Sequence, residues 1–291
     1  MVCDSFLQRM VLRIKQICCG ALSLLLPQLV LAKSLPEGAI LSELLSTGYS
    51  NGQKLQYDVS WTGGIKIGEL HLEINRLTDE GDDVYEIRAC VSTKNGPINW
   101  VYPINDLHVT KVRGPEMLPF YYEIWQQEGF HYRAHRVLQY DQEKGTINYM
   151  KNGKKEGDFT LDGVVNNEFS AFFNSRLMPL EVGRSFVVPT FADKKRVEVE
   201  VRPINRERLD ETIFGPVDTI EVMPIMTFRG LYDKQGDTVI WYSDDKCRVP
   251  VLINSKIRIG SLTAELISYE NPACQLYPAV SATETTRQIK K

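Results

Sequence analysis

The sequence predicts a mainly β protein: a single strongly curved antiparallel sheet, a barrel or half-barrel, with one main helix packed in or across it. Three observations carry this. Short runs of alternating apolar residues, separated by Gly, Asn and Asp, recur from Leu55 to Tyr269. Only Asn166–Met178 changes to helical spacing in the chain after the N-terminal segment. Ile65–Ile74 and Ile257–Leu266 align without gaps as Ile-basic-Ile-Gly-x-Leu-x-x-Glu-aliphatic. A glycine inside a strand marks a bulge or bend, so two strands near opposite ends of the chain are expected to bend alike. About a dozen strands in one twisted sheet must curl or split. A two-sheet β-sandwich is the alternative.

Taken in order, Lys33–Lys54 is a lead-in whose Leu41, Leu44 and Leu45 suit a short helix. Leu55–Trp61 places Leu55, Tyr57, Val59 and Trp61 on one face, and Thr62-Gly63-Gly64 turns the chain into Ile65–Ile74. The alternation slips there at Gly68-Glu69, as a bulge requires. Val84–Val91 puts Tyr85, Ile87, Ala89 and Val91 on one face, Arg88 and Cys90 on the other. Gly96-Pro97 interrupts the sheet, and Ile98–Tyr102 suits one helical turn or a plug. Leu107–Val112 resumes it, Leu118–Gln127 and Phe130–Tyr140 form an aromatic-rich hairpin, and Gly145–Met150 adds a strand. Lys151–Gly157 reads as a solvated loop.

In Asn166–Met178, Phe169, Phe172, Phe173 and Leu177 share a face. Asn166 or Asn167 can cap this helix, with Glu168 in its first turn, and the stripe is expected to pack on the sheet. Strands return at Ser185–Phe191, Arg196–Val201, Glu207–Phe214 and Val217–Met223. Three more follow between Thr238 and Tyr269, with turns at Asp244–Lys246 and Asn254–Lys256. No linker divides residues 55–275, which read as a single domain; residues 276–291 read as a polar tail, frayed from Ala279.

The N-terminus has the form of a secretion signal. Arg9, Arg13 and Lys15 precede the apolar run Ile17–Leu31, and Val30-Leu31-Ala32 offers a cleavage site after Ala32. The expectation is a signal peptide over residues 1–32 and a periplasmic protein. No later segment approaches the ~20 apolar residues that span a bilayer. The remainder is mildly acidic, with a formal charge of -3 for the whole chain, so its net charge draws it neither to nucleic acid nor to an anionic membrane. Three cysteines remain after cleavage: Cys90, Cys247 and Cys274. Cys247 follows the strand Thr238–Tyr242, and the last strand returns toward the same end of the sheet just before Cys274. A Cys247–Cys274 disulfide and three free thiols are both open.

Trp61 with Gly68-Glu69, Leu118-Pro119, Tyr140-Asp141, Ser170–Arg176, Gly183, Ile240-Trp241, Asp245, Val249-Pro250 and Gly260 through Glu265-Leu266 resemble, in that order, the domain of unknown function 3108 family. The resemblance covers Leu55 to Tyr269 and departs at Asn167, where Asp is expected before the helix; a neutral Asn still caps. It implies an exported bacterial protein and transfers no catalytic residues. A curved sheet around a helix behind a signal peptide is also similar to the periplasmic lipoprotein carriers, an analogy of fold alone.

The motifs GxSxG, GxGxxG, the P-loop and HExxH are absent, as is CxxC, so neither catalytic residues, a metal site nor a cofactor is expected. His131 and His135 would flank Arg133 on a polar outer face; His71 and His108 stand alone. Asp244 and Asp245 suit a turn, Glu73 and Glu265 the outside of the sheet. What remains is aromatic. Trp61, Trp100, Tyr102, Trp125, Phe169, Phe172, Phe173 and Trp241 are the candidates for lining a concave apolar pocket between sheet and helix. The expected function is a periplasmic or envelope binding protein holding a lipid, a lipid-linked glycan or an apolar segment. A hydrolase or transferase of envelope glycans or lipids is one alternative. A structural or assembly factor pairing with an envelope protein partner is the other.

Overall fold

Period-two alternation gives fourteen strands among the described residues, which are 34–78, 83–94, 96–225, 238–257 and 260–282 of the computed structural model. The expected signal peptide lies outside them. The first half of the chain forms α1 (Ser42–Gly48) and then β1 (Gln53–Trp61), β2 (Ile65–Arg76), β3 (Val84–Ser92), β4 (Asn105–Arg113), β5 (Leu118–Glu128), β6 (Tyr132–Asp141), β7 (Thr146–Lys151) and β8 (Lys154–Thr160). A 3-10 turn, Pro97–Trp100, sits between β3 and β4. After α2 (Glu168–Ser175) come β9 (Phe186–Ala192), β10 (Lys195–Leu209), β11 (Val217–Ile225), β12 (Thr238–Ser243), β13 (Pro250–Lys256) and β14 (Ser261–Glu270).

All strands belong to one antiparallel sheet ordered β8-β7-β6-β5-β4-β3-β2-β1-β14-β13-β12-β11-β10-β9. The chain therefore starts in the middle, meanders to one edge, crosses by α2 to the other edge, and meanders back until β14 pairs with β1. The sheet is not closed by backbone pairing. Its two edges nevertheless meet through side chains: Phe159 of β8 packs on Phe191 of β9 with centroids 5.3 Å apart, and Glu156 pairs with Lys194 at 3.0 Å. Edge β9 is covered, because Val187 exchanges hydrogen bonds with Pro36 and Gly38, and Asn166 with Pro189 and Phe191. Edge β8 carries Lys154, Lys155, Glu156 and Asp158, charges that oppose pairing with another chain.

The helix lies across the concave face. Asn167 caps it, its side chain accepting from the N–H groups of Phe169 and Ser170, and its amide donates to Thr110 of β4 at 3.0 Å. That tie uses the amide an aspartate would lack. Phe173 and Leu177 are fully buried with Leu55, Tyr57, Leu72, Ile74 and Ile87. Just past the helix, Arg176 is fully buried as well. Its Nη2 donates to the Gly48 carbonyl at 2.6 Å and to Gln53 at 3.0 Å, and the guanidinium lies 4.9 Å from the Phe173 ring centre. Tyr49, Tyr57, Tyr242 and Tyr269 surround it. Burial raises the pKa of each of these phenols, so at neutral pH the cation is held by dipoles and ring faces rather than by a counter-charge.

Several boundaries differ from expectation. Arg196–Val201 and Glu207–Phe214 are not separate strands: β10 runs unbroken across Pro203, which sits where the register with β11 shifts, so the bulge absorbs the residue that has no N–H. The expected loop Lys151–Gly157 contains the start of β8, whose polar composition is that of an exposed edge. The helix stops at Ser175, short of Met178. The two repeated glycines do different work. Gly68 lies within β2, where a Cβ would come 2.6 Å from the Ser92 carbonyl oxygen, and Ile67 is the extra residue of the bulge. Gly260 instead ends the β13–β14 turn at φ +80°, so β13 continues through the expected turn Asn254–Lys256. The boundaries expected at 55 and 275 fall inside the fold. Leu41 N–H bonds Leu177, Tyr277 donates to Asp245 at 2.6 Å, and Val280, expected to be frayed, exchanges backbone bonds with Tyr269.

Cys247 and Cys274 form a disulfide, with Cα atoms 5.6 Å apart, and Cys90 is a free, exposed thiol. The bridge ties the β12–β13 turn to the segment after β14. Replacing Cys247 by Ser opens a loop of sequence separation 27 and is expected to cost about 3 kcal/mol. Phe173→Ala, at a fully buried site, is expected to cost about 3–5 kcal/mol, and Phe172→Ala, half-buried, clearly less. Denaturant unfolding of the three variants measures this; equal losses for the two phenylalanines would contradict the packing described.

Candidate functional site

The concave face is filled in one half and open in the other. The turns β1–β2, β3–β4, β5–β6 and β13–β14 mark one end of the sheet; the disulfide marks the opposite end. Toward the disulfide end, inward-facing Leu55, Leu72, Ile74, Ile87 and Val112 are buried under Phe173 and Leu177. Toward the other end the same strands keep partial access to solvent at Val59, Leu70, Val91 and Ile253, and so do Phe169, Ala171 and Phe172 on the helix. Glu168 gives the sharpest sign. It is open to water by surface area, yet it lies so deep among protein atoms that burial raises its pKa. Glu168 thus stands at the border between the packed and the open part of the concave face, beside the first turn of α2.

The open part of the concave face carries two kinds of side chain. Val59, Leu70, Val91, Phe172 and Ile253, from β1, β2, β3, α2 and β13, are apolar. The strands β4–β6 supply a polar wall. The Tyr122 hydroxyl stands between His108 Nδ1, 2.8 Å away, and the Glu168 carboxyl. Phe169 packs over His108 with ring centres 4.9 Å apart. Burial holds His108 down to about 4, so its imidazole is neutral at pH 7. Nearer the mouth, Arg136 donates to Gln126 and, at 2.7 Å, to Tyr132, and Gln126 donates to Glu128 at 2.9 Å. Asp106 accepts from the Gln127 N–H at 2.8 Å. Burial raises the carboxyl pKa values of Asp106 and Glu128, and the charge of Asp106 adds to the shift on Glu128. Perturbed carboxyls and a neutral histidine on one stretch of the concave face make it the candidate site.

The eight aromatic candidates are dispersed. Phe169 and Phe172 lie on the open part of the concave face, and Phe173 belongs to the core. Trp61, Trp100 and Tyr102 stand on the rim, Trp100 being 88% exposed. Trp125 and Trp241 point to the convex face, because Ile124 and Tyr242 beside them point inward. Trp241 donates to Glu207 there. Trp125 stacks on His135 at 3.7 Å beside a convex-side cleft of about 380 Å³ that also takes Gln127, Arg133 and Asn152. His135 binds Glu123 at 2.7 Å, so the expected polar outer face is occupied by an aromatic–histidine pair. Among the described residues no group of three or more His, Cys, Asp or Glu is placed to hold a metal, and no helix is long and apolar enough to cross a membrane.

No curated protein matches this chain. Among solved structures, a β-barrel-like protein of the domain of unknown function DUF1849 from Brucella abortus shares its fold. The TM-score is 0.51 at 10% identity, over 76% of this chain and 98% of that one. The hypothetical protein CT021 from Chlamydia trachomatis aligns at a TM-score of 0.37 and 9% identity, over 84% and 99%. The sequence model of the protein family of unknown function DUF3108 matches residues 56–267, nearly all of the sheet and all of α2, and the chain belongs to that family.

Proposed function

We propose that this protein is a periplasmic binding protein that holds an amphipathic, lipid-like molecule in the cavity between α2 and the sheet. The observation that carries the reading is Glu168, open to water yet deep in the fold, opposite an apolar wall. A cavity with one apolar and one polar wall suits a ligand with an acyl or prenyl part and a polar head. The apolar part lies along Val59, Leu70, Val91 and Ile253. The head meets Arg136, Tyr122 and Glu168, which offer both a cation and hydrogen-bonding groups. A lipid-linked glycan is the bulkier version of the same ligand. A second reading, a hydrolase or transferase of envelope lipids or glycans, has one observation behind it: a carboxyl of raised pKa joined through Tyr122 to a neutral imidazole.

Mass spectrometry of organic extracts from protein purified out of its native envelope tests the binding reading. A reproducible lipid, lost or greatly reduced in Leu70→Glu, is the expected result; wild-type protein that carries none contradicts it. If wild-type protein, like Glu168→Gln, leaves its co-purified lipid and added envelope lipids and glycans chemically unchanged, the enzymatic reading falls.

The polar wall also predicts a pH dependence. His108 has a folded pKa of about 4 against an ordinary 6.5. The unfolded chain therefore takes up a proton first, and stability present above pH 6.5 is lost as pH falls toward 4. The loss from this group is about 3 kcal/mol, and His108→Gln is expected to remove it. Glu168 acts in the opposite sense: its raised pKa makes the folded state the better proton binder, so stability falls as pH rises above the ordinary carboxyl range. Urea unfolding across pH 4 to 8 reads both; identical profiles for wild type and His108→Gln would contradict the buried placement of the imidazole.

A further inference from the structure

We infer that the turn-bearing end of the sheet docks on an anionic phospholipid bilayer, with the cavity mouth facing the membrane. This rests on the proposed binding function and names where the ligand is exchanged.

The apolar part of the argument is the distribution of exposed side chains. Trp61, Ile65, Trp100, Val101, Tyr102 and Phe130 are all large, apolar and exposed, and all lie at turns of this one end; Trp100 is 88%, Val101 71% and Phe130 63% exposed. They form a held surface. Gly129 N–H bonds the Pro103 carbonyl at 2.8 Å, which fixes the β5–β6 tip against the loop carrying Trp100 and Tyr102. Gly96 in that loop abuts the Ile67 carbonyl of β2, where any Cβ would clash, and Gly260 lies against the Thr62 side chain next to Trp61. Tryptophan and tyrosine are the residues favoured at the level of lipid headgroups.

Charge supplies the choice of occupant. Consider each described turn together with the strand residue on either side. At this end Lys94, Lys151, Lys154, Lys194, Lys195 and Lys256 stand against Glu128 and Asp193. Lys194 also pairs with Glu156. At the disulfide end acidic residues outnumber basic ones eight to five, with Asp210, Glu211, Asp244 and Asp245 in two turns. A chain of net negative charge thus presents its basic pole together with its exposed aromatics. Each basic residue near an anionic surface raises the affinity for it by about fivefold. The acidic pole turns away from the same surface. A protein partner would satisfy the apolar patch equally, but the lysine ring around it is complementary to lipid phosphates.

Flotation with phosphatidylcholine vesicles, with and without about 30% phosphatidylglycerol, tests this directly. Wild-type protein is expected to float with the anionic vesicles and to be released by about 0.5 M salt. Trp100→Ser/Phe130→Ser and Lys94→Glu/Lys256→Glu are each expected to weaken binding by about tenfold or more, since they remove interfacial anchors or reverse charges. Lys246→Glu, exposed at the opposite end, serves as the control and is expected to bind as wild type. All substituted positions are exposed, and circular dichroism checks that the variants fold. The proposal is overturned if wild type binds neither vesicle, if the rim variants bind like wild type, or if Lys246→Glu weakens binding as much as they do. Capture of an envelope protein by the rim without vesicle binding also overturns it. Co-purified lipid with no vesicle binding would sink the docking surface alone, whereas rim-dependent vesicle binding by protein that carries no lipid would sink the cavity reading alone.

Discussion

One topological constraint shapes the rest of the molecule: β8 and β9 are the two edges of a fourteen-stranded sheet, yet they are neighbours in the chain, joined by residues 161–185. Laid flat, thirteen strand spacings of about 4.8 Å would separate those edges by roughly 60 Å. The connection instead passes through the concave side, anchored to Thr110, to Pro189 and to Gly48. The sheet must therefore curl until its edges face each other. Once curled, it has an inside, and α2 is the element that fills part of it.

How far α2 fills that interior decides where chemistry can occur. From Phe173 onward the helix and its exit are packed against the centre of the sheet, and Arg176 joins α2 to the α1–β1 junction through Gly48 and Gln53. A buried guanidinium with only dipolar partners costs desolvation, and the neighbouring Phe173 ring and four phenols offset it in part. The start of α2 is buried on one side, at Asn167 and Ser170, and half open on the other. Its Glu168, Phe169 and Phe172 face the unfilled half, where the β4–β6 strands supply ionisable groups. A rigid, buried helix end thus positions a solvent-facing helix start.

Alternation and turn residues made the fold class legible, and the Phe169–Leu177 spacing with Asn167 before it located the helix. Reading failed where a residue's role depends on the facing strand. The single strand β10 reads as two because the residues of β11 that pair across Pro203 lie beyond any local window. Gly68 and Gly260 sit in the same local motif but in different structures. The aromatic candidates were chosen by type, and the sheet sent Trp125 and Trp241 outward because their inward neighbours, Ile124 and Tyr242, fill the core. In the sequence His108 is an isolated histidine and Glu168 a first-turn acid. Their common partner, Tyr122, is brought to them only by the curl. The period-two pattern does carry one usable sign: Asp106, His108 and Thr110 are successive polar residues on the inward face of β4, where its sister strands are apolar.

The β1–β14 pairing has a kinetic side. Leu55 is registered with Tyr269, so the central seam of the sheet joins segments more than two hundred residues apart. Contacts of such high sequence separation slow folding. A nascent chain completes its first eight strands long before β14 exists, and through that interval β1 presents an unpaired apolar edge, Leu55, Tyr57 and Val59, next to a concave face that still lacks its helix. Partly built sheets of this kind are prone to aggregate. Folding that starts from the N-terminus thus gains nothing for the seam on which the finished sheet depends, and that seam closes only when the whole chain is present.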